Sequence, residues 1–346
     1  MKPSFMTRSA GKGSYTFHRK TVRASILLLA AAIIVILASL AMGEQVIKPA
    51  QVWLALLGKG EPDHILIVQS LRAPRVIVAF LVGASLAVSG AILQGVIRNP
   101  LAAPDVIGIT GGASVGAVAF ITYMPSTVSI HFLPVAAIIG AFGAALLVYA
   151  IAWKKGVNPF RLVLVGIGIA SLLSAITTFM LVFSPVYSAS SSYIWLTGTI
   201  YGSSWNYVWS FFPWTFVLMV IVMLYTRQMN IQLLGDDIAI GLGSSLQRHR
   251  FILILLSVGL AGSAVSIGGV IGFVGLIAPH AARRLVGPVI SRLLPISALF
   301  GGVIVALADL IARTAFPPLD IPVGVFTAGI GGPFFIYLLY RTRNNR

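Results

Sequence analysis

One acid, Asp309, stands inside an apolar run, in Ala306-Leu307-Ala308-Asp309-Leu310. An ionisable group at membrane depth either moves protons or holds a cation. Arg313 follows at i+4, the spacing that brings two side chains together on one helix face. We favour this pairing over proton coupling. Arg72 and Arg75 flank the start of another apolar run. Arginines there either snorkel to the membrane surface or hold the carboxylates of a partner bidentately, and their positions alone leave both roles open. A pair of acids, Asp236-Asp237, lies in the one sizeable polar stretch between apolar runs, 227–250. Its centre reads Gly235-Asp236-Asp237-Ile238-Ala239-Ile240-Gly241-Leu242-Gly243. The acids suit a helix N-terminus, where they meet the positive end of the dipole. Gly241 and Gly243 suit its end. The spacing predicts a short helix, a glycine turn and a second short helix, in preference to a plain loop.

Soluble-enzyme chemistry is missing. Gly11-Lys12 and Gly58-Lys59 are each followed by Gly, so there is no G-x-x-x-x-G-K-[ST] loop and the chain does not cradle ATP phosphates itself. The five histidines have no metal-ligand spacing. His280, in Ala278-Pro279-His280 beside Arg283 and Arg284, reads as a packing or interface residue. There is no cysteine, which removes disulfides, thiolate metal sites and Cys nucleophiles. We therefore expect no catalytic residues, no metal and no cofactor, and a protein that is not an enzyme.

The elements that position these residues are membrane spans. Of 346 residues 58% are hydrophobic and 9% charged, against roughly 25% charged in a soluble domain. At about 20 residues per span, ten fit. The runs lie near 24–43, 70–97, 106–123, 132–152, 161–183, 207–226, 251–267, 270–284, 294–315 and 324–340, and are apolar all round, as membrane helices are. The expected fold is an all-α integral membrane protein: a basic tail 1–23, one transmembrane domain 24–340 and a tail 341–346. Residues 1–23 hold six Lys or Arg. The run that follows is longer than the 7–15 residues of a signal peptide's apolar core, so it is expected to remain as the first span.

The net charge of +16 raises nucleic acid as a partner. The charges sit in short tails and turns between apolar runs, where they set topology, so no nucleic acid is expected. With both ends inside the cell, 19 of the 24 Lys and Arg face the cytosol. The outward exceptions are Lys48, Lys59, Arg72, Arg75 and Arg313. Segments 44–69 and 185–206 then face out, and both are too apolar for ordinary loops. Trp53, Tyr193, Trp195, Tyr201 and Trp205 fit an interfacial aromatic belt. The second segment suits a short re-entrant or surface helix.

The second apolar run carries Gly83, Ser85, Ser89, Gly90, Gln94 and Gly95. A lipid anchor needs none of them. A helix packed tightly within a bundle does, because small residues let backbones approach and Ser or Gln can bond across helices. LVGASLAVSGAILQGVIRNP (81–100) also aligns weakly with LAGSAVSIGGVIGFVGLIAP (260–279) at an offset of 179. The copies are five spans apart and so cross in opposite directions, the pattern of an inverted repeat.

Four blocks carry a resemblance: LRAPRVIVAFLVGASLAVSGAILQGVIRNPLAAPDVIGI, GDDIAIGLG, GGVIGFVGLIAPHAARRLVG and the tail from LLPISALFGG to GGPFFIYLL. In order and spacing they resemble the permease subunits of type II ABC importers, which carry iron-siderophores, haem and cobalamin. The resemblance runs from about Gly43 to Arg341. It implies ten spans per subunit in the cytoplasmic membrane, a second permease subunit, identical or related, around one central path, a cytosolic ATPase dimer and an extracytoplasmic binding protein.

Residue by residue, the resemblance makes Arg72, Arg75 and Arg313 the arginines that meet acids on the binding protein. It makes 230–246 the coupling loop, with Gly235, Asp236, Asp237, Ala239, Gly241 and Gly243 at its core. Asn99 and Leu101 match a cytoplasmic gate. The place of the gate's other half, usually small and hydroxylated, reads Asn158-Pro159-Phe160 and departs from the pattern. A bulky chelate needs a wide, weakly binding route. Gly111, Gly112 and Ser114, with Gly166, Gly168, Ser171 and Ser174, offer small walls for it, or serve plain helix packing. Siderophore is the expected cargo, with haem and cobalamin as alternatives. An ion-coupled secondary carrier is the rival class, and it needs midplane ionisable residues.

Overall fold

The computed structural model describes residues 5–10, 13–125, 127–317 and 319–343. The tails 1–23 and 341–346 lie partly outside them. Within the first, β1 (Phe5–Ala10) pairs antiparallel with β2 (Gly13–His18). Everything else regular is helical: α1 (Arg19–Ala41), α2 (Pro49–Leu56), α3 (Pro62–Ile65), α4 (Ala73–Ile97), α5 (Ile109–Tyr123), α6 (Leu133–Ala152), α7 (Pro159–Val182), α8 (Val186–Leu196), α9 (Trp205–Leu224), α10 (Thr226–Leu233), α11 (Asp236–Gly241), α12 (Leu246–Gly268), α13 (Val274–Val286), α14 (Ile290–Thr314) and α15 (Val323–Arg343).

A helix stands at each of the ten expected spans. Among the described residues seven are long and apolar enough to cross a membrane, and the apolar parts of α5 and α15 are shorter. The helix at the eighth expected span, α13, has 13 residues. At about 1.5 Å per residue it reaches roughly 20 Å, less than the ~30 Å hydrocarbon core. A non-helical break separates it from α12, with Gly269 and Phe273 both at φ 66°. Gly268, Gly269 and Ile271 are buried there, the condition under which irregular backbone survives at membrane depth. Segment 185–206 does contain a short helix, α8.

Many outer helix faces are apolar and bare: in α1, Leu27 is 70% and Ile34 66% exposed. In water such faces would aggregate; in lipid they are ordinary. The centre is α4, buried on every side from Val82 to Ile97, which is why its sequence lacks a polar face. It packs against α14, α12 and α13. As the small residues in α4 suggested, Ser89 bonds across helices, its Oγ lying 2.7 Å from Ser257 Oγ of α12. The end of α4 and the start of α12 lie at the same end of the bundle, so the two copies of the repeat run antiparallel. The second copy is broken at Gly269, where the first continues through Gly90.

Upstream of α4 the helix widens into a π-helical turn, Leu66–Arg72, with Ala73 N donating to Val68 O. Pro74 lacks the amide that would bond Ser70 O, and Arg72 and Arg75 lie at the end of the widened turn and just after it.

Candidate functional site

Two polar clusters occupy opposite ends of the bundle. At one end Arg75 is held by two acids. Its Nε donates to Asp309 Oδ1 at 2.9 Å, and its Nη1 and Nη2 donate to Asp320 Oδ2 and Oδ1 at 2.5 and 2.8 Å. Its guanidinium carbon also lies 5.8 Å from the centre of the Tyr201 ring. Asp309 is 1% exposed. Arg313 Nε is 3.9 Å from Asp309 Oδ2, so the expected i,i+4 pair exists, but Arg75 is the closer partner.

Arg72 and Arg313 do a second job. Arg72 Nη1 donates to Leu40 O and Ala41 O at 2.8 and 2.9 Å, its Nη2 donates to Gln45 O at 2.5 Å, and Arg313 Nη2 donates to Ser39 O. Ser39, Leu40 and Ala41 carry carbonyls of the last turn of α1, which have no partner within their own helix and attract cations. This narrows the docking expectation. Arg72 is 6% exposed and its donors are used inside the chain, so in the isolated subunit it is an internal clamp. Arg75 and Arg313 have side chains 12% and 10% exposed, while Asp320, which sequence reasoning missed, is 25% exposed. Asp320 could not be picked out from sequence because its partner is 245 positions away.

At the other end two short helices, α10 and α11, are joined through Gly235 at φ 111°. α11 is the short helix expected from Asp236, but the element after the Gly243 turn is the 23-residue α12 and not a second short helix. Asp236 and Asp237 open α11, as their charge predicted. Gly243 closes the unit at φ 76°, where a β-branched residue would be strained. Gly241 is different: it is the last residue of α11, outside the left-handed region and in open space. It tolerates a side chain, contrary to the expectation that both glycines break the helix. Ala239 is fully buried, while Leu234, Ile238, Ile240 and Leu242 are 53–61% exposed. An apolar tip on a polar loop is a docking surface in form.

Beneath this tip lie both expected gate segments. Arg98 ends α4 at φ 55°, and Asn99 Oδ1 then accepts from Leu101 N at 2.9 Å. Asn158 Oδ1 accepts from Phe160 N at 2.9 Å and caps α7, with Pro159 at its first position. Asp236 Oδ1 takes Arg98 Nη2 and, at 3.0 Å, Arg250 Nη2. These ion pairs were illegible in sequence, where Arg98 and Arg250 counted only as topology charges.

The proposed pathway residues divide. Gly112 and Gly166 are buried contacts between helices: an added Cβ would sit 2.2 Å from Gly140 O and 1.8 Å from Val106 O. Ser114 is buried and bonds Thr110 O of its own helix at 2.8 Å. Gly111 faces Leu173 at 3.3 Å. These four make packing contacts of α5 and α7 inside the subunit, the second of the two roles open to small residues. Gly168, Ser171 and Ser174 remain on an exposed face of α7.

A many-helix bundle with bare apolar flanks and a tightly packed central helix has the form of an integral membrane protein. The sequence profile of the FecCD transport family matches residues 30–341. The chain is 47% identical over 325 residues to YfhA of Bacillus subtilis (strain 168), named a probable siderophore transport system permease protein, covering 92% of this chain and 94% of that one. It is 47% identical over 334 residues to the achromobactin transport system permease protein CbrC of Dickeya dadantii (strain 3937), covering 96% of each. An inward-facing conformation of an ABC transporter assigned to the metal-chelate type superposes with TM-score 0.81 at 30% identity, covering 92% of this chain and 99% of that one. The chain belongs to the FecCD transport family, and is a permease subunit of the type II ABC importer class.

Proposed function

We propose that this subunit moves an iron-siderophore complex across the cytoplasmic membrane, paired with a second permease subunit, identical or related. A binding protein delivers the chelate on the outside, and a cytosolic ATPase dimer drives the cycle. The observation that carries this reading is the α10–α11 unit, an apolar tip seated directly over both gate segments. In this reading both chain ends and the α10–α11 unit are cytosolic, and the Arg75 cluster faces out. The names of the relatives support iron chelates as cargo. Deleting the gene and supplying single iron chelates tests the cargo: growth should fail on one siderophore class and return with the plasmid-borne gene. Growth loss on haem or cobalamin instead would reassign it.

Docking of the binding protein is proposed for the outward cluster, centred on Arg75. A carboxylate of the partner would displace the partly exposed Asp320 from the arginine fork. Arg75→Gln should then weaken association of the binding protein with the purified complex by roughly 2–5 kcal/mol, as removal of one partner from a buried charge pair does. Unchanged affinity, in a variant that remains monodisperse, would leave the cluster a purely internal clamp.

A further inference from the structure

Asp236 and Asp237 are neighbours with different surroundings. Asp237 is exposed and makes no ion pair among the described residues. Asp236 accepts from two arginines through one oxygen, Oδ1. Arg98 is the residue at which α4 ends, directly before the Asn99 turn. Arg250 lies in the first turns of α12 and is 1% exposed. Its Nη1 donates to Val157 O, and Gln247, one turn earlier, accepts from Val157 N at 2.9 Å. Both backbone groups of Val157 are therefore held by α12, and Val157 directly precedes Asn158, the cap of α7. Among the described residues Asp236 is the acid that pairs with Arg98 and with Arg250.

We propose that Asp236 is a positioning residue that ties α11 to both gate segments, to α4 through Arg98 and to α7 through Arg250 and Val157. The inference rests on the reading of this unit as the coupling loop. A buried guanidinium that loses its acid is left uncompensated. A shift of α11 therefore either carries Arg98 and Arg250 with it or leaves Arg250 unpaired, which makes the link stiff. The exposed apolar residues of the tip would meet the ATPase, and Asp236 would pass that movement on.

The test is made in proteoliposomes holding the complete complex with its ATPase and binding protein. Asp236→Asn should keep the ATPase subunits bound and hydrolysing, while uptake per ATP falls about tenfold, within the 5–150-fold range typical of coupling between sites. Asp236→Glu should restore most of it, and Asp63→Asn, an exposed acid at the other end of the bundle, should match wild type. Asp236→Asn with Arg98→Gln should be no worse than Asp236→Asn alone, because both changes cut one linkage. If the Asp236→Asn permease itself does not fold, Arg98→Gln alone, on a side chain 32% exposed, should show the same fall. Normal uptake per ATP in these variants overturns the proposal, and so does dissociation of the ATPase, which would make Asp236 a docking contact. Wild-type uptake that ignores ATP would instead overturn the coupling-loop reading itself.

Discussion

Gly90→Val should leave almost no folded permease. Gly90 is at the centre of α4, and a Cβ built there falls 1.8 Å from the carbonyl oxygen of Gly275 in α13. That obstacle is backbone, so no rotamer change relieves it, and the two helices must separate. Overpacking by side chains costs about 1–3 kcal/mol. A backbone collision on the most buried helix should exceed that, against a total stability of only about 5–15 kcal/mol. Gly83→Val should behave alike, since its Cβ would meet Gly301 O of α14 at 2.1 Å. The spans still insert, because insertion depends on apolar length, but the bundle does not close. The measurement is the yield of monodisperse protein after mild-detergent extraction, followed by thermal unfolding. Gly168→Val is the matched control, as nothing lies within 4 Å of that position. Equal yields and melting temperatures for Gly90→Val and Gly168→Val would mean that α4 and α13 do not approach this closely.

The element positions were legible because lipid admits only helices and closed barrels, and apolar runs of about 20 residues fit the helix. The α10–α11 unit was legible because acids and glycines mark helix ends. A boundary between 267 and 270 was legible too, but not that the break extends to Phe273 and leaves α13 with 13 residues. Residues 270–273 are as apolar as the runs on either side, and the left-handed Phe273 packs against Gly331 of α15, 58 positions on. The partners of the charged residues were also hidden. Arg75 meets Asp320, and Arg98 meets Asp236, across 245 and 138 positions. Local spacing shows pairs like Asp309–Arg313, and here that pair is the looser contact. The two roles left open for the small residues could not be separated in sequence for a related reason. A glycine against another backbone and a glycine facing a channel have the same sequence signature, and only the position of the neighbouring helix separates Gly166 from Gly168.

The identity of the energy source is the central claim, and Asp309 is where the rival account would have to act. A proton-coupled carrier needs that carboxyl to titrate, so Asp309→Asn would abolish uptake. In our account Asp309 holds Arg75 and supports Arg313. Breaking a buried pair by removing one partner costs about 3–5 kcal/mol. Here Asp320 still holds the Arg75 fork, and Asn retains an acceptor of the same shape. Uptake by Asp309→Asn should therefore be reduced yet measurable. The direct measurement uses wild-type permease reconstituted with its ATPase in proteoliposomes, with loaded binding protein outside. ATP is either enclosed or omitted, and the proton gradient is either imposed or collapsed with a protonophore. The account predicts uptake that requires enclosed ATP and is unchanged when the gradient collapses. Uptake driven by the gradient in the absence of nucleotide would contradict it.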